Sequence, residues 1–253
     1  MIPSRPVGGR YVVLDGLGAG AMGPVWRAQD KLTGKLVVVR ELRLTGRPGT
    51  VDHTRFRDAL LRQARIIGAL ADPGLLAVQD VLHADGVDLL VTEYAEGIRL
   101  SDHVSSGGPL SADDGLELAR GLLGTLDRAH GRGLVHGGVR PEAIMLAEDG
   151  RIAFSDTGLA SALAALGRGD TGLPDYGFTA PERRAGGPPT AAGDLWSFGS
   201  TLLRTSALEP PLADVVDRLR AEDPAARPTA AEALEELAEA GERRRTWFGF
   251  RRA

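Results

Sequence analysis

Short apolar blocks open the chain. Tyr11–Leu14, Val25–Ala28 and Leu36–Leu42 read as strands, with a turn at Thr33-Gly34 between the second and third. Leu60, Leu61, Ala64, Ile67 and Leu70 then recur at helical spacing, which predicts a helix from about Thr54 to Leu70. Two more strands fit Leu75–Leu82 and Val87–Glu93, joined at Ala84-Asp85-Gly86. After Tyr94 the pattern becomes helical. Ser111, with Asp114 three residues on, caps a helix whose apolar face is Leu116, Leu118, Leu122, Leu123 and Leu126. Thr229 and Glu232 form a capping-box pattern ahead of Ala233, Leu234 and Leu237. Strands with one helix, followed by mostly helices, make an α+β chain of two unequal lobes. The expected division is a flexible lead over 1–9, a β-rich lobe over 10–95, a helical lobe over 96–240 and a tail over 241–253.

Composition narrows the function classes. The 253 residues are 43% hydrophobic and 25% charged, and that length buries a substantial core. A net charge of −4 argues against a general nucleic-acid binder, which would carry a basic face. The chain has no cysteine, so disulfides and thiolate chemistry are excluded, and a cytoplasmic setting fits. No apolar run reaches the ~18–20 residues of a membrane span, and Met1–Arg10 has no apolar leader segment. Among 30 basic residues only Lys31 and Lys35 are lysine. The tail, with Arg243, Arg244, Arg245, Trp247, Phe248, Phe250, Arg251 and Arg252, reads either as a solvated end or as a peripheral membrane or partner contact.

Gly18-Ala19-Gly20-Ala21-Met22-Gly23 is a G-x-G-x-x-G run. A dinucleotide fingerprint would need a helix to start there; Pro24 and the strand-like Val25-Trp26-Arg27-Ala28 indicate a returning strand instead. A glycine-tipped hairpin lets backbone N–H groups approach phosphates, with Leu17 and Val25 as an apolar roof for a base. A hairpin that binds nothing remains the plain alternative.

Further motifs follow in order. Leu134-Val135-His136-Gly137-Gly138-Val139-Arg140-Pro141-Glu142-Ala143-Ile144-Met145-Leu146 resembles the catalytic loop H-R-D-x-K-P-x-N of protein kinases. Ser155-Asp156-Thr157-Gly158 stands where D-F-G belongs, Ala180-Pro181-Glu182 is A-P-E, Asp194-Leu195-Trp196-Ser197-Phe198-Gly199 fits D-x-W-S-x-G, and Arg227-Pro228-Thr229 fits R-P-T. The set resembles the bacterial, actinobacterial-type serine/threonine protein kinases in a degenerate, pseudokinase form. The resemblance covers about Arg10 to Leu237. It implies the two-lobed kinase-like fold, here with a shortened helical lobe between Gly199 and Arg227. It implies structural roles for His136, Asp194 and a Glu182–Arg227 ion pair, and a nucleotide cleft at Leu17, Gly18, Gly20, Gly23, Val25, Val38, Arg40, Glu93, Ala95, Met145 and Asp156.

Against that family pattern the chemistry is depleted. Arg40 stands for the strand Lys and Gln63 for its helix Glu, so that ion pair is lost. Gly138 replaces the Asp that takes the hydroxyl proton, Arg140 the catalytic-loop Lys, and Ala143 the metal-binding Asn. Asp156 is left as a single, weak magnesium ligand. Gly137 replaces the Arg that meets a phosphorylated segment, Thr157 the Phe that packs under the helix, and Asp175 falls where a Thr is usual. With no partner Glu, Arg40 is expected to be able to fold into the pocket, and Thr157 to loosen the coupling between lobes.

Three functions stay open at this point: an inactive binding module that takes up ATP weakly, with magnesium weak or absent; an atypical active phosphotransferase; and a structural domain of a larger membrane-associated assembly. The sequence names no protein partner.

Overall fold

The computed structural model describes residues 6–20, 23–42, 51–84, 86–164 and 177–238. Strands β1 (Tyr11–Gly20), β2 (Gly23–Asp30), β3 (Leu36–Leu42), β4 (Val78–Ala84) and β5 (Val87–Glu93) form one antiparallel sheet in the order β1-β2-β3-β5-β4. Helix α1 (Val51–Leu70) crosses between β3 and β4. The period of two along β3 places Val37 and Val39 on one face and Val38, Arg40 and Leu42 on the other. Val37 and Val39 join Tyr11, Val13, Ala28, Leu89 and Val91 in one cluster, while Leu42 and Leu90 pack on Phe56, Ala59 and Leu60 of α1. Arg40 therefore lies on the helix side of the sheet.

Val7 is buried in the sheet cluster and its N–H bonds to the Tyr11 carbonyl at 2.8 Å. Residues 6–9 form a turn that packs on the sheet, because Val7 has apolar surface to bury against β1.

The second lobe is helical around a small sheet. Strands β6 (Gly97–Arg99), β7 (Ile144–Ala147) and β8 (Ile152–Phe154) pair antiparallel beside α2 (Leu100–Gly107) and α3 (Ala112–His130). Further on lie α4 (Leu159–Ala164), α5 (Pro181–Arg184), α6 (Ala191–Thr205), α7 (Leu212–Leu219) and α8 over 230–238. Leu118, Leu122 and Leu126 of α3 meet Leu195, Phe198 and Leu202 of α6, with Val216 and Leu219 of α7 and Leu237 of α8, in one core. Ser111 Oγ accepts the Asp114 N–H at 3.1 Å, and Glu232 Oε2 accepts the Thr229 N–H at 2.7 Å, so both expected caps form. Only 206–211 separate α6 from α7, and α7 has 8 residues, which gives this lobe its brevity. Among the described residues no helix is long and apolar enough to cross a membrane.

Candidate functional site

The glycine run is a hairpin tip. Gly18 pairs with Val25, Ala19 with Pro24 and Gly20 with Gly23; Ala21 and Met22 lie outside the described residues. Gly18 has φ 112°, a conformation side-chain-bearing residues rarely adopt. At Gly23, φ is 148° and an added Cβ would stand 2.8 Å from the Glu41 carbonyl oxygen. Register then links the hairpin to the cleft, because Val25 also pairs with Arg40 and Arg40 with Leu90. Gly18, Val25 and Arg40 form one row across three strands.

Among the other expected cleft residues, Ala95 and Met145 share a cluster that joins the two lobes. Val25 is buried, Leu17 and Val38 are half-buried, and Ala95 is buried in a cluster with Leu76 and Ala153, flanked by Met145. The Glu93 carboxylate is engaged elsewhere, with Arg151 Nη2 3.0 Å from its Oε1. Any contact with a base at this position falls to the Glu93 backbone.

The loop over 136–143 is held by its own backbone and by α6. Asp194 accepts the His136 N–H at 2.8 Å and the Gly137 N–H at 2.7 Å, and His130 Nε2 lies 3.0 Å from its Oδ2. A carboxylate accepting two backbone N–H groups fixes the loop's entry. His136 Nδ1 accepts from the Gly138 N–H at 3.2 Å, so the ring proton sits on Nε2, which donates to the Ser155 carbonyl at 2.9 Å. Burial pushes the His136 imidazole below its ordinary pKa, keeping it neutral. Gly137 has φ 75°, and an added Cβ would stand 2.8 Å from Ala160 Cβ. At Gly138 no side chain projects into the cleft. Ala143 is buried, and its carbonyl accepts from the Ser155 N–H at 2.9 Å. Arg140 Nε is buried without a hydrogen-bond partner; the nearest carboxylate oxygen, Glu142 Oε2, is 3.7 Å away.

Arg40 and Asp156 meet. Nη2 of Arg40 lies 2.9 Å from Oδ1 of Asp156, with their side chains 13% and 18% exposed, so the pair is largely shielded from solvent. Asp156 itself has φ 62°, the left-handed region. The expected turn of Arg40 into the pocket is met by an ion pair with Asp156. That contact bears on Asp156, the single weak magnesium ligand expected here. Its carboxylate already faces a guanidinium, Ala143 offers no oxygen beyond a backbone carbonyl already bonded, and Gly138 offers no side chain. These residues fit a divalent cation poorly: they offer one carboxylate, already paired with a guanidinium, where magnesium takes one or two carboxylates along with phosphates and water.

Gln63 is excluded from ion pairing by its chemistry, and it packs against Gly158, two residues beyond Asp156. Its Cβ and Cγ lie 2.8 and 2.9 Å from where a Cβ at Gly158 would stand, and its Oε1 is buried without a partner. Thr157 is buried, and its hydroxyl also lacks a partner. The loosening expected at Thr157 is offset two residues later. Leu159, Ala162 and Leu163 of α4 share a cluster with Phe56, Ala59 and Leu60 of α1, so an apolar contact ties the helix to the lower lobe after all. No periodicity in so short a segment announces it.

Glu182 and Arg227 form a bidentate pair at 2.7 and 2.9 Å. The Arg227 guanidinium, with its side chain fully buried, also donates to the carbonyls of Ala192, Ala221 and Glu222. Sequence reasoning missed His130 as a second partner of Asp194 and Arg204, whose guanidinium lies 5.0 Å over the Phe178 ring. Asp175 and the basic tail over 241–253 lie outside the described residues.

Comparison with known proteins agrees with this geometry. The protein kinase domain family matches residues 11–215. A probable serine/threonine-protein kinase, pknA2 of Bifidobacterium longum (strain NCC 2705), is 30% identical over 199 residues, covering 78% of this chain and 26% of its own length. The serine/threonine-protein kinase PrkC of Bacillus subtilis (strain 168) is 26% identical over 248 residues, covering 94% of this chain and 38% of its own. The probable kinase SCO3848 of Streptomyces coelicolor (strain ATCC BAA-471 / A3(2) / M145) is 31% identical over 220 residues, covering 82% and 31%. This chain therefore spans between about a quarter and two-fifths of the length of these relatives. The crystal structure of Rad53 1-466 in complex with AMP-PNP superposes with TM-score 0.72 at 20% identity, covering 90% of this chain and 65% of that one, which shows the shared fold. Lobes, hairpin, loop and ordered motifs agree: the chain belongs to the protein kinase domain family.

Proposed function

We propose that this protein is a pseudokinase: a kinase-fold module that binds partners in signalling or scaffolding and does not transfer phosphate at kinase rates. One observation carries the reading. The cleft has glycine at 138 and buried alanine at 143, and its remaining acid, Asp156, is bonded to Arg40. Phosphoryl transfer in this fold depends on positioning and charge stabilisation, supplied by an acid at the hydroxyl and oxygen ligands around metal. Loss of the general base alone costs about 10²–10⁴-fold.

Nucleotide uptake is compatible with the same geometry. The hairpin of β1 and β2, the apolar cluster around Ala95 and the two guanidiniums of Arg40 and Arg140 are the parts that would receive ATP. A cytoplasmic setting belongs to the same proposal and is compatible with the cysteine-free sequence. The partner would be a protein; a membrane contact through the basic tail is part of the same proposal.

The atypical-kinase alternative rests on the names of the relatives, which are serine/threonine-protein kinases, and on the charged residues Arg40, Arg140 and Asp156 that the chain keeps. One experiment separates the two. Labelled phosphate transfer from ATP to a general acceptor protein, and to the chain itself, is expected at background with and without Asp156→Ala. Turnover in the range of about 1–100 per second, abolished by Asp156→Ala, would overturn the pseudokinase reading.

A further inference from the structure

We infer that the cleft takes a nucleoside triphosphate without a divalent cation, with the Arg40 guanidinium standing in the place of the metal. This rests on the reading of the cleft as a nucleotide site and specifies how that site binds. The argument is one of charge and donors. In an ordinary site of this fold, acidic and amide oxygens collect cations, which then neutralise the phosphates. Here the oxygen donors are reduced to Asp156, whose Oδ1 is 2.9 Å from Arg40 Nη2. The cations are instead built into the chain.

Arg40 is fixed by register opposite Val25, in the row that begins at Gly18 of the hairpin. The bond to Asp156 uses one terminal nitrogen of a fork with five N–H donors, and a planar fork suits phosphate oxygens. Arg140, on the catalytic loop, adds a second guanidinium whose buried Nε has no hydrogen-bond partner and lies 3.7 Å from Glu142 Oε2. Removing an acid at Gly138 leaves Arg40 and Arg140 facing Asp156 and the half-exposed Glu142. A metal arriving at Asp156 would meet the positive charge of the guanidinium paired with it.

Calorimetric titration of ATP into the protein tests this, once in EDTA and once in millimolar magnesium chloride. The expected result is measurable binding in EDTA that magnesium does not improve and, by occupying the same phosphate oxygens as Arg40, weakens. Arg40→Gln is expected to lower the EDTA affinity by about tenfold or more, the cost of a lost hydrogen bond to a charged group. Magnesium should then raise the affinity of that variant, because Asp156 is released. Asp156→Asn provides a second variant. It removes the competing carboxylate, so EDTA affinity should rise, whereas loss of a metal ligand would lower affinity in magnesium. Binding that appears only with magnesium overturns the inference. So does no binding under either condition, which leaves the phosphotransfer test of the pseudokinase reading untouched. Circular dichroism of each variant confirms that an altered affinity is not unfolding.

Discussion

Arg40 on β3 and Asp156 after β8 are joined across the cleft by a 2.9 Å contact from Nη2 to Oδ1. A sheet residue and a residue of the helical lobe thus share a shielded ion pair, and their energies should be coupled. A double-mutant cycle with Arg40→Met and Asp156→Asn should give a coupling of about 1 kcal/mol in urea denaturation, within the range for contacting charged residues. Additive effects of the two substitutions would show that the pair contributes nothing to holding the lobes.

Gly137 stands where the family has arginine, and its backbone has φ 75° with Ala160 and Pro189 crowding the missing side chain. Restoring the arginine should therefore harm rather than repair the fold. Gly137→Ala is expected to cost about 1–3 kcal/mol through left-handed strain, and Gly137→Arg at least as much. A chemical-denaturation midpoint unchanged in Gly137→Ala would refute this account of the loop.

The fully buried Arg227 guanidinium holds Glu182 and three carbonyls, so Arg227→Met leaves a carboxylate without its counter-charge. A loss of about 3–5 kcal/mol is expected, as for breaking one side of a buried pair. The hydrogen bonds from Arg227 hold the Glu182 carboxyl below its ordinary pKa. Its contribution is present above the normal carboxylate range and is lost as pH falls through the lowered folded value. In Glu182→Gln the acid-side decline in melting temperature should be shallower than in the parent; parallel profiles would remove Glu182 as a source of acid lability.

His136 works in the opposite charge sense. Its buried ring stays neutral while an unfolded histidine takes up a proton below about pH 6.5. The unfolded chain then binds more protons, so stability falls as pH drops from 7 toward 5 by up to about 1.4 kcal/mol per unit from this group. Urea midpoints measured across that interval should slope less in His136→Phe than in the parent, even though the variant starts lower for want of its bond to Ser155. Equal slopes would assign the pH dependence to other groups.

Much of the architecture is local in origin, and so it was legible. Alternation fixed the face of β3 on which Arg40 lies, Ser111 and Thr229 marked helix starts, and the glycine run with Pro24 announced a hairpin rather than a helix. Identity at single positions was equally plain: a glycine at 138 and an alanine at 143 cannot supply an acid or an amide in any conformation. What lay beyond the sequence depended on which distant groups the fold brings together. Val7 is buried because β1 passes beside it, and α4 is a short segment whose leucines matter only once α1 lies over them. The pairing of Arg40 with Asp156 joins residues 116 positions apart, and it was decided by the closure of two lobes. Residue chemistry sets what each side chain is able to do, while a charge finds its counter-charge only through the distances that packing imposes.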